Sequence, residues 1–132
     1  MNTLRFRALF GLIIWLGWYV HISATRFLPN TPEGMLIFHG SAAAVDLFLV
    51  YSAPRLLEGK LCDDTQNLCL ASIIGNAVGW AFYLAYLPPV FYNTFMEILG
   101  YVQWARLFMV DDHDATNHLG SYLVRRSRFV GA

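Results

Sequence analysis

Apolar residues gather in four stretches, Ala8 to Thr25, Gly34 to Ala53, Leu68 to Leu87 and Pro89 to Val110, separated by short polar or proline-bearing segments. At about 1.5 Å per residue each stretch reaches roughly 27 to 33 Å as a helix, close to the thickness of a hydrocarbon core. The pattern predicts four spanning helices, bounded by FLPNTPEG, PRLLEGKLCDDTQN, LPP and VDDHD. Pro88 and Pro89 join the last two so tightly that an antiparallel hairpin is expected, with Pro89 at a helix start where its missing N–H is not needed. Asp64 or Thr65 is expected to cap the third helix.

Composition agrees with an apolar solvent: 57% of the residues are hydrophobic and only 14% are charged, too greasy for an ordinary soluble domain. The expected fold class is all-α, an integral membrane protein with four transmembrane helices over residues 1–110 and a cytoplasmic tail over 111–132. A formal charge of +0 gives no bulk attraction for nucleic acid. Position matters more than total. Every Lys and Arg except Arg26 falls on one side of the predicted spans, which places both termini in the cytoplasm by the bias that keeps basic loops untranslocated. Cys62 and Cys69 match no zinc or redox spacing and read as reduced thiols. In the tail, Leu119, Tyr122, Leu123 and Phe129 would share a helical side, with Arg125, Arg126 and Arg128 available to anionic headgroups.

Within this apolar frame a few polar residues stand at membrane depth. His39 and Asp46 lie two helical turns apart on one face of the second helix. The third helix carries Ser72, Gly75, Asn76, Gly79 and Tyr83 at helical spacing, and Gly75 with Gly79 forms a small-residue pair that permits close helix approach. Asn93, Glu97, Gly100 and Trp104 share a face of the fourth helix, and His21 follows Gly17 on the first. Counted from the presumed outer ends, His21 and His39 lie at roughly 6 to 8 Å, Glu97 at about 12 Å, and Asn76 and Asp46 at about 17 to 18 Å. A carboxylate facing lipid costs about 2.5 to 3.5 kcal/mol, so an inward polar seam of His21, His39, Asp46, Asn76, Asn93 and Glu97 is expected. Its plainest use is interhelical bonding, Asp46 to Asn76 and Glu97 to a histidine; a wet path for ions or protons is the functional alternative. Gly75, Gly79 and Gly100 are the expected packing positions.

No phosphate loop, His-Glu-x-x-His, Gly-x-Ser-x-Gly or dinucleotide fingerprint occurs, and two carboxylates without a pocket are thin grounds for catalysis. Asp111, Asp112, His113, Asp114 and His118 match no metal-site spacing and read as a solvated stop. No cofactor or metal is expected. The run GWAFYLAYLPPVFYNTFMEILGYVQWARL, Gly79 to Leu107, resembles the small polytopic membrane proteins of tailed bacteriophages. Holins are a familiar role in that group. The resemblance implies residence in the bacterial inner membrane and assembly into a lesion, and it carries over no functional residue. The expected function is noncatalytic and works by helix association, with the protein itself or with another membrane protein; an accessory subunit and a small proton conductor using Asp46 and Glu97 are the alternatives. Membrane lipids are the expected surroundings.

Overall fold

The computed structural model describes residues 2–109 as four helices in up-and-down order: α1 Leu4–Thr25, α2 Pro32–Leu56, α3 Gly59–Leu84 and α4 Val90–Phe108. Sequence neighbours are spatial neighbours, with α2 packed most extensively on α3 and the α1–α4 seam the weakest. α1, α2 and α3 are each long and apolar enough to cross a membrane. Within their apolar windows only 22%, 28% and 28% of the residues are buried, so most of that hydrophobic surface faces outward. Trp15, Tyr19, Ile37, Phe48 and Ile74 are among the large side chains exposed there. Water would penalise such a surface; lipid does not.

The fourth predicted span needs correction. α4 has 19 residues, about 28 Å of helix and long enough to cross, but it is not apolar enough to qualify by itself. Asn93, Glu97, Gln103 and Arg106 lower its hydropathy. The antiparallel α3–α4 arrangement is present, with α4 packed along α3.

The α2–α3 connection also differs from the expected polar loop. Helix α2 continues through Pro54, and after Leu57 helix α3 starts at Gly59 rather than Leu68, with Glu58 at its N-cap, so Asp64 and Thr65 lie inside the helix instead of capping it. Proline lacks the N–H that would reach the carbonyl four residues back. That carbonyl, on Val50, accepts instead from the Gln66 side-chain amide at 3.0 Å, so the ladder is repaired from the neighbouring helix. Helix is maintained through the charged stretch because its charges find partners: Lys60 pairs with Asp64 one turn on, and Arg106 of α4 reaches the same carboxylate at 2.9 Å. Asn2 pins the turn from outside, donating to the Glu58 carbonyl and accepting from the Glu58 N–H.

At this basic end the interior is packed with apolar side chains. Phe10, Ile14, Leu49, Ala53, Leu57, Leu61, Cys69 and Leu107 form one buried cluster, and Arg7 donates to the Leu107 carbonyl near the end of α4. Gly11 allows the closing contact between α1 and α4, because a Cβ there would lie 2.9 Å from Phe108 and 3.1 Å from Trp104. Cys62 and Cys69 are both free thiols.

Candidate functional site

Toward the opposite end the interior turns polar. Asp46 is fully buried on α2 and its Oδ2 accepts from the Ser72 hydroxyl of α3 at 2.5 Å, while Oδ1 has no hydrogen-bond partner. One turn along α3, Asn76 donates its amide to the Ser72 carbonyl at 3.0 Å. A carbonyl only accepts, so this bond fixes the orientation of the amide and leaves Asn76 Oδ1 as an acceptor. Two groups use it: the Tyr92 hydroxyl of α4 at 2.7 Å and His39 Nδ1 of α2 at 3.1 Å. The three helices α2, α3 and α4 are thereby joined at one side-chain oxygen.

The same logic settles the imidazole. Because Asn76 Oδ1 accepts, His39 Nδ1 carries the proton, and in a neutral ring Nε2 then presents a lone pair. His21 follows the opposite pattern: its Nε2 donates to the Phe38 carbonyl at 3.0 Å, and its buried Nδ1 has no partner. Edge-on ring contacts hold both, Trp18 against His21 and Tyr92 against His39 at 4.8 Å.

Several cavities flank this network, and two of them reach His39 or Glu97. One of about 510 Å³ lies at the loop end, between Phe38, His39, Gly79, Phe82, Tyr92 and the α3–α4 turn. A second of about 330 Å³ lies along the open α1–α4 seam, touching Trp18, His21, Ser72, Glu97 and Gln103. Neither lining includes Phe10, Leu49 or Leu61 of the apolar cluster.

Of the residues expected in the seam, the structure joins His39 and Asn76 directly and holds Asp46 on the neighbouring Ser72. The expected Asp46–Asn76 bond is replaced, because Asn76 is occupied by His39, Tyr92 and its own helix. Glu97 is exposed and, among the described residues, accepts only from Tyr101 on its own helix at 3.1 Å, instead of from a histidine. It shares the 330 Å³ cavity with His21 without bonding to it. Asn93 is exposed and lines the larger cavity. Gly75 and Gly79 both lie under α4: added Cβ atoms would come within 2.7 Å of Phe95 and 2.5 Å of Tyr92. Gly100 faces open space and packs against nothing, a departure from its expected role. Arg125, Arg126 and Arg128, with the Asp and His residues of 111–118, lie outside the described residues.

Tyr92 is the member that sequence reasoning missed. Counting outward equally from Ala85 and Tyr86 pairs Gly79 with Tyr92 and Gly75 with Met96, so the tight turn itself carried the signal. Among the described residues no three His, Cys, Asp or Glu side chains converge as a metal site. Comparison of the chain with protein-family models, curated proteins and solved structures returned no match.

Proposed function

We propose that this chain is a noncatalytic integral protein of the bacterial inner membrane, with four spans and both termini cytoplasmic, that acts by helix association along the α4 face bearing Glu97. The observation that carries this reading is Glu97 itself. It lies roughly 10 Å down α4 from the turn, exposed, with Tyr101 of its own helix as its hydrogen-bond partner. A carboxyl facing lipid is costly, and a donor from a second helix removes the cost. The small-residue pair on α3 is already covered within the chain, so it supplies no external contact. The weak α1–α4 seam, with its cavity beside Glu97, is where a further helix finds room.

A holin-like lesion, as the phage resemblance implies, then has its lumen between copies rather than within one bundle, because the basic end of each bundle is filled by packed apolar side chains. Topology rests on the same charge bias as before: Arg5, Arg7, Arg55, Lys60 and Arg106 cluster at one end of the helices, with Arg26 at the other.

Disulfide crosslinking in membranes tests the reading. Tyr101→Cys on the Glu97 face is expected to give a crosslinked product, and Ile37→Cys on α2 is not. Adding Glu97→Leu to Tyr101→Cys should remove the product. The mass of the adduct separates a second copy from a foreign partner. Equal crosslinking with and without the Glu97→Leu change would overturn the assignment to this face.

A further inference from the structure

We propose that the cavity at the loop end binds a small, flat, uncharged phenol-class molecule whose hydroxyl donates to His39 Nε2. Its volume, about 510 Å³, lies within the range of small-molecule sites. Its walls are largely aromatic, from Phe38, Phe82, Tyr83, Tyr86 and Tyr92, which suits a planar apolar guest.

Asn30 and Asn93 also line the cavity, but the buried acceptor held by the network is on His39. His39 is buried, wedged edge-on against Tyr92 and Phe38, with Nδ1 engaged by Asn76. Asn76 is in turn fixed by the Ser72 carbonyl, so the imidazole cannot exchange its donor and acceptor nitrogens without breaking that chain. Nε2 has no hydrogen-bond partner among the described residues, and His39 lines the cavity. What the site offers there is an acceptor. A guest with an O–H satisfies it; the same guest with a methyl ether does not, and leaves a desolvated lone pair unpaired.

The rim gives a second, independent indication. Helix α3 ends in a Schellman arrangement, with Tyr86 N–H bonded to Tyr83 O and Leu87 N–H to Phe82 O. The position between them requires a left-handed backbone, and glycine is its usual occupant. Here it is Tyr86, at φ 57°, the one non-glycine residue with positive φ among those described. Its side chain is 96% exposed and lines the cavity mouth. A bulky residue at a position that disfavours it is a backbone outlier that use of its ring at the mouth would account for. Glu97 does not line this cavity, and the proposal does not depend on association.

The full chain in lipid nanodiscs, followed by imidazole nitrogen NMR, gives the test, with para-butylphenol and its methyl ether, para-butylanisole, as probes. The phenol is expected to bind about tenfold or more tightly than the ether and to move the His39 Nε2 resonance; the ether should leave it in place. Tyr86→Gly is expected to fold and to weaken phenol binding severalfold. His39→Phe, where it folds, should erase the preference between the two probes. Equal affinity for phenol and ether in the unaltered protein, or a His39 resonance indifferent to the phenol, would overturn the proposal.

Discussion

Gln66 and Tyr86 show how much local structure depends on a single side chain. Removing the Gln66 amide leaves the Val50 carbonyl without a donor in a helix that Pro54 has already interrupted. Gln66→Met should destabilise the bundle by about 1 to 3 kcal/mol, the usual penalty for an orphaned buried polar group. In a Pro54→Ala background the N–H returns, and the same change should cost much less; SDS titration of the four proteins in mixed micelles measures the coupling. Additive costs would disprove the repair. Tyr86→Gly should act in the other direction, stabilising the fold by roughly 1 to 2 kcal/mol because the left-handed backbone no longer crowds a Cβ. A loss of stability on the same titration would mean that the tyrosine ring holds the turn.

At the level of elements, the α3–α4 pairing is decided by glycines that lie beneath α4. Burying apolar area does little to join helices in lipid; close packing and side-chain hydrogen bonds do the joining. An added methyl at Gly79 meets Tyr92 at 2.5 Å and His39 at 2.9 Å, the two groups that meet at Asn76. Gly79→Ala is therefore expected to cost about 1 to 3 kcal/mol through overpacking and to disturb the His39–Asn76–Tyr92 cluster. Gly100→Ala meets nothing and should be neutral or stabilising by up to about 1 kcal/mol, from helix propensity alone. Matched unfolding curves decide the point: similar behaviour of the two variants would sink the packing account. The helix boundaries teach a related lesson. A break was expected where Pro54, Gly59 and the charged residues follow one another, but Gln66, Asn2 and the Lys60–Asp64–Arg106 cluster come from elsewhere in the chain to sustain two long helices with a two-residue joint.

Over the whole molecule the two ends differ, one polar and hollowed, the other packed and apolar. Asp46 lies on the polar side, yet the way to the basic end is closed by the cluster of Phe10, Leu49, Leu57, Leu61 and Leu107. Protons should therefore not cross a single bundle: purified protein in liposomes is expected to show only background acid-driven flux, equal in Asp46→Asn. Flux well above background that disappears in that variant would restore the conductor reading. The general plan was legible along the chain, because apolar runs of membrane-crossing length, breakers between them and helical spacing of the polar residues are local properties. Three helices long and apolar enough to span and the tight α3–α4 turn follow from these alone. What residues met across the bundle was not legible. Asn76 had several suitable partners by depth and chemistry, and only the packing of α2, α3 and α4 selected His39 and Tyr92 while leaving Asp46 to Ser72. Glu97 was expected on the inward stripe, and the weak packing of α1 on α4 left it exposed. Periodicity fixes which side chains share a face of a helix; the rotation of that helix against its neighbours, a property of the packed whole, decides what the face meets.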